Sequence, residues 1–267
     1  MKRLTITRRG IFAGVGGLLA SPAIVRAQGQ NGVALVIGNS KYLWEAQLPN
    51  VKRDAPDMAK RFQALGLQTV LLQDASLEAM RQAVEKFKAA ASGANLAVFY
   101  FAGHGVTWAN ESYLVPTDTD LNTPGVVKTL IPVPSITEAT QGAAHRLLVF
   151  DNCRNNPADG WRQLEAHRAA TINQEAQSKL AAQSPNTLSL YSTSPGRVAL
   201  DGPAGENSPF AAALLRQLEG QSVDLQTLPG QLRRDLLIAT QGRQLVWDRS
   251  TYQQPFAFRG LGSGATA

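Results

Sequence analysis

Leu96-Ala-Val-Phe-Tyr-Phe-Ala-Gly-His-Gly105 reads as a strand that runs directly into a turn. Six apolar residues from Leu96 to Phe101, with no polar break, suit a strand covered on both faces. Val33 to Ile37 has the same character, and Thr69 to Leu72, Arg146 to Phe150 and Thr187 to Tyr191 also read as strands. Helical spacing fills the intervals. Asp54 to Leu65 places Ala55, Met58, Ala59, Phe62 and Leu65 on one face, and Gly66 stops it. Ser76 is set to cap a helix reaching about Ala91, with Leu77, Met80, Val84 and Phe87 aligned. Shorter elements are expected at Ser112 to Val115 (extended), Ser135 to Gln141 (helix) and Phe256 to Phe258 (strand). Ser208 to Leu218 and Leu225 to Ile238 read as two late helices. Strands alternating with helices predict an α/β fold, a mostly parallel central sheet with helices on both faces.

The chain has 267 residues, 44% of them hydrophobic and 17% charged, enough for a sizeable core. The formal charge of +6 suggests a polyanion partner until it is located. Residues 1–27 contain Lys2, Arg3, Arg8, Arg9 and Arg26 and no acid, which leaves 21 basic and 20 acidic residues in the rest. The body is nearly neutral, so no nucleic-acid partner is expected. A basic start, an apolar run from Ile11 to Ala20 and Val25-Arg-Ala27 form the layout of a secretory signal. Thr7-Arg-Arg-Gly-Ile-Phe12 resembles the twin-arginine export motif. Residues 1–27 are therefore expected to direct export, to the periplasm, with no stable membrane insertion.

His104 follows the third strand and Cys153 the fourth, 49 positions later. In an open α/β sheet, ligands bind beyond the carboxyl ends of the strands. If those two strands are neighbours, thiol and imidazole emerge at one rim, the arrangement for acyl transfer. The thiolate is the reactive form, and an imidazole can take its proton and later protonate a leaving amine. The Gly105 and Cys153 backbone N–H groups are candidates for an oxyanion hole, where one donor is worth about 3 kcal/mol of barrier. Cys153 is the sole cysteine, so neither an intrachain disulfide nor a cysteine-based zinc site is expected. His145 reads as the solvated start of a strand and His167 as loop surface.

Phe99-Tyr-Phe-Ala-Gly-His-Gly105 together with Phe150-Asp-Asn-Cys-Arg154 resembles the caspase-like cysteine peptidases (C14 type), most closely their bacterial metacaspase or orthocaspase relatives. The resemblance covers roughly Val33 to Phe258. It implies the caspase-like sandwich over residues 28–260, with Cys153 as nucleophile and His104 as general base and acid. Tyr191-Ser-Thr-Ser-Pro-Gly196 is similar to a caspase segment near the residues that bind the substrate side chain. Along it, Asp201 falls where caspases place an arginine, and Asp151 replaces their glutamine. Asp54 is similar to a third acid of the metacaspase pocket. Such a pocket (S1) attracts Arg or Lys and repels Asp.

The resemblance thus implies an endopeptidase acting on proteins and peptides after basic residues. Residues 154–186 fall at the family's processing linker and contain Arg154, Arg162, Arg168 and Lys179 as self-cleavage positions. An amphiphilic helix is expected near Ile172 to Ala182, and residues 261–267 read as a disordered tail. No organic cofactor or metal ligand set is expected. Calcium activation stays open, because Asp118 and Asp120 do not form a dense calcium loop. The expected state is a monomer. A catalytically silent interaction module on the same fold is the alternative.

Overall fold

The computed structural model describes residues 32–108, 111–152, 185–194, 197, 199–220 and 222–259. Cys153, residues 154–184 of the expected linker, the expected leader and the expected tail lie outside the described residues.

The central sheet has six strands. In chain order they are β1 (Gly32–Gly38), β2 (Gln68–Gln73), β3 (Leu96–Gly103), β7 (His145–Asn152), β8 (Thr187–Tyr191) and β10 (Trp247–Ser250). Their spatial order is β10-β8-β7-β3-β1-β2; all neighbours are parallel except β10, which closes one edge antiparallel to β8. The apolar runs are continuous because alternate side chains enter two cores. Val36, Val98, Tyr100, Leu147 and Val149 pack under helices α1 (Val51–Ala64), α4 (Pro209–Gln217) and α5 (Leu228–Ala239). Leu35, Ile37, Phe99, Phe101, Leu148 and Phe150 pack under α2 (Leu77–Ala91) and α3 (Val133–Ala139). This is the expected two-faced α/β sandwich.

From β1 the chain moves outward to β2, then returns to place β3 on the other side of β1. The β1/β3 boundary is therefore a topological switch point, where the connections diverge and leave a crevice at the strands' carboxyl ends. The β1–α1 connection and the end of β3 both open onto it.

Several elements differ from the sequence reading for local reasons. The extended piece near Ser112 is one arm of a three-stranded sheet, β4 (Gly105–Trp108), β5 (Glu111–Leu114) and β6 (Ile131–Pro132). Its core is small: Tyr42, Val106, Tyr113, Val115, Leu121, Val126 and Leu130. The predicted strand near Phe258 exists as β11 (Ala257–Arg259), paired with β9 (Ser222–Asp224). Helix α1 begins at Val51, three residues before Asp54, and the Asn50 side chain at its N-cap bonds a distant loop rather than capping it. Ser76 does cap α2, its Oγ accepting from Ala79 N–H at 3.3 Å.

His145 is only partly exposed. Its ring stacks on Phe256 at a centroid distance of 3.5 Å and on Tyr252 at 5.8 Å, and burial lowers its pKa. The neighbouring Arg146 is buried and donates to the carbonyls of Thr140, Gln141, Ala143 and Pro185, which ties the start of β7 to the turn before it.

Candidate active site

The register of β3 on β7 pairs Gly103 with Asn152. The two residues singled out by sequence follow these directly: His104 comes after Gly103, and Cys153 after Asn152. The neighbouring strands that this pairing of motifs required are present.

His104 is held on three sides. Its backbone N–H donates to Tyr42 Oη at 2.7 Å, and the two rings lie 4.5 Å apart. Its Nε2 lies 2.7 Å from the Ala46 carbonyl oxygen. A carbonyl only accepts, so Nε2 carries the ring proton and Nδ1 keeps the lone pair. Burial lowers the His104 pKa against the opposing effect of the Ala46 bond. The neutral ring with a basic Nδ1 is the form that a proton acceptor needs near pH 7. Tyr42 is buried, and its own hydroxyl donates to the Val115 carbonyl at 3.3 Å. Gly103 is required by this close approach, because a Cβ there would stand 2.6 Å from Tyr42 Oη and 2.8 Å from Phe101 Cζ. Gly105 opens β4 opposite Leu114, directly after His104.

The three predicted pocket acids come from three different elements and meet. Asp54 projects from α1 and Asp151 from β7, both buried, and Asp201 precedes α4, partly buried. Ser208 joins two of them: its N–H donates to Asp54 Oδ1 at 2.9 Å and its Oγ donates to Asp151 Oδ2 at 2.8 Å. The same Oγ accepts from Ala211 N–H at 3.0 Å, so this residue also caps α4. The Tyr100 hydroxyl lies 3.4 Å from Asp151 Oδ2. Asn50 fixes the Asp201 loop. Its Nδ2 donates to the Asp201 and Pro203 carbonyls at 2.6 and 2.9 Å, and its Oδ1 accepts from Gly205 N–H at 3.1 Å.

These carboxyls are electrostatically stressed. Burial, reinforced by the Asp151 and Asp201 charges, raises Asp54 to about 8 despite the Ser208 N–H. Burial raises Asp151 to about 6, held down by hydrogen bonds from Ser208, Ser192 and Tyr100. Burial also raises Asp201. Among the described residues, no Lys or Arg forms an ion pair with any of the three. Desolvated carboxylates without a counter-ion are costly, and a cation entering among them would relieve that cost.

The two candidate calcium carboxylates are engaged elsewhere. Asp118 Oδ1 accepts from Leu77 N–H and Asp120 Oδ1 from Asn122 N–H, both at 2.9 Å. Among the described residues, no group of three or more His, Cys, Asp or Glu is arranged to hold a metal ion.

The family model of the caspase domain, Peptidase C14, matches residues 31–257. The chain belongs to the caspase family. It is a cysteine-peptidase type of hydrolase domain, and its six-stranded sheet is the central sheet of the caspase fold. No curated protein gives a significant match. On the caspase frame, the sequence singled out His104 and the acids but missed their supports. Tyr42, Asn50 and Ser208 carry no motif, and Tyr100, inside the His104 motif, gives no sign there that its hydroxyl lies by Asp151. Ser208 reads as a helix cap, which it is, and nothing local signals that its hydroxyl and amide also reach two acids far away in sequence.

Proposed function

We propose that this caspase-family domain is a metacaspase-like cysteine endopeptidase that hydrolyses peptide bonds after Arg or Lys. His104 Nδ1 takes the Cys153 thiol proton, and the sulfur attacks the scissile carbonyl carbon. The oxyanion that forms is stabilised by the Gly105 and Cys153 backbone N–H groups. As the C–N bond breaks, the imidazolium returns its proton to the departing amine, leaving an acyl-enzyme. Water then attacks that thioester, giving its proton to His104, and the acid product departs as the thiol re-forms. The side chain before the scissile bond enters among Asp54, Asp151 and Asp201.

The observation that carries this reading is the convergence of those three carboxylates, with no cation from the described chain between them. A guanidinium or ammonium supplies the missing charge, whereas a substrate carboxylate meets repulsion. Arg154, Arg162, Arg168 and Lys179 make the 154–186 segment a substrate for self-cleavage. We further propose that the enzyme works as an exported, periplasmic monomer without organic cofactor, calcium dependence being set by experiment. A fluorogenic Arg peptide tests the reaction. Wild type turns it over, and Cys153→Ala and His104→Ala do not; equal turnover by either variant would overturn the dyad.

A further inference from the structure

We propose that Leu43 and Trp44 form the subsite for the residue just after the scissile bond, and that they select a bulky apolar side chain there. This rests on the peptidase reading above. The β1–α1 connection presents both residues to solvent, Leu43 at 72% and Trp44 at 63% exposure. Two adjacent large apolar side chains left in water forgo the burial that would stabilise them.

They are not on a wandering loop. Ser40 and Lys41 N–H donate to Asp74 Oδ1, Leu43 N–H donates to the Thr117 carbonyl at 3.0 Å, and Ser40 and Leu48 bond each other twice. Tyr42, between these anchors, is buried against His104. The pair is thus held in place and exposed, as a preformed contact surface requires.

The contacts along this connection place the pair beside His104: Tyr42 and Ala46, on either side of it, both touch that residue. Leu43 and Trp44 come first, then the Ala46 carbonyl that holds His104, then Asn50 and Asp54 at the acidic pocket. A substrate with its basic side chain among the acids has its scissile bond at His104. The group that protonates the departing amine stands beside the leaving half of the chain. Leu43 and Trp44, between Tyr42 and Ala46, which both touch His104, are the exposed apolar side chains that flank this group. Glu45 follows them in sequence, its pKa raised by burial and also by the Asp120 charge, so two acids stand in this neighbourhood and an acidic residue is disfavoured at this position.

The test uses the purified chain and quenched peptides that are identical except for Leu, Ser or Asp after a single Arg. An Arg-coumarin amide, which has no residue beyond the scissile bond, is run alongside. Wild type should prefer Leu to Ser by about five- to tenfold in kcat/KM, with Asp poorest. Trp44→Ala and, separately, Leu43→Ser should compress the Leu-to-Ser ratio toward one. Equal rates for Leu and Ser while Arg-coumarin is cleaved would overturn this subsite and leave the peptidase reading standing. A full preference retained in both variants would do the same. If no Arg substrate is cleaved, the peptidase reading fails and this inference falls with it.

Discussion

Asn at position 54 keeps the shape of Asp54 and an oxygen for the Ser208 N–H, while removing one buried charge. The structure gives the consequence a sign and a size. In the folded state Asp54 titrates at about 8, against an ordinary 3.8. The native state therefore holds more protons than the unfolded chain across this interval, and stability falls as pH rises from about 4 to about 8. Each pH unit is worth about 1.4 kcal/mol, which bounds the effect at about 6 kcal/mol. Local relaxation and water entry lower the expected gain from Asp54→Asn to about 3 kcal/mol at pH 8.5. At pH 5 the native acid is neutral but the unfolded one is ionised, so the gap should narrow to about 1.5–2 kcal/mol, closing only below about pH 4. The assay is urea denaturation at pH 5, 7 and 8.5, in a Cys153→Ala background to prevent self-cleavage. A Tm rise of about 6–12 °C at pH 8.5 accompanies it. In the Cys153 enzyme, the same substitution should lower kcat/KM for Arg substrates by at least about tenfold. A variant that is no more stable than its parent at pH 8.5 would show that the charge is already compensated, and the reasoning about a cation socket would fail.

The pH profile follows from the same groups. For wild type, kcat/KM on an Arg peptide should rise through about pH 6 to 8 as Asp151 and Asp54 ionise, since burial keeps His104 in its basic form over that range. Ser208→Ala removes a donor to Asp151 and the cap of α4, so this rise should move to higher pH, at a cost of about 1–3 kcal/mol of stability, with partial rescue by Ser208→Thr. Asn50→Ala frees the Asp201 loop and should raise KM for Arg peptides severalfold with a smaller change in kcat, read from full Michaelis curves. Tyr42→Phe leaves the His104 N–H without its acceptor and should cost about 1–3 kcal/mol in denaturation, because that amide is buried.

The sheet was legible in the sequence because both of its faces are covered. Leu96 to Phe101 has to be apolar throughout when Val98 and Tyr100 face one core and Phe99 and Phe101 the other. Strands with one polar side left weaker marks. The edge strand β10, Trp247-Asp-Arg-Ser, shows no apolar run, and the β4–β5 hairpin rests on a core of a few side chains. His104 and the acids were legible through motifs beside strand ends. Their supports were not, because Asn50 reaches Asp201 across 151 positions and Ser208 reaches Asp54 across 154. Only tertiary structure brings such partners together. His145 was misread because its cover, Tyr252 and Phe256, comes from the end of the chain.

What the acidic socket accepts decides whether the enzyme cuts after basic residues. Profiling cleavage of a peptide library with the wild-type chain, and with Cys153→Ala as the blank, measures this directly. The prediction is cuts after Arg and Lys, none after Asp, and none in the blank. Cleavage after Asp, or a profile indifferent to the charge before the cut, would contradict it.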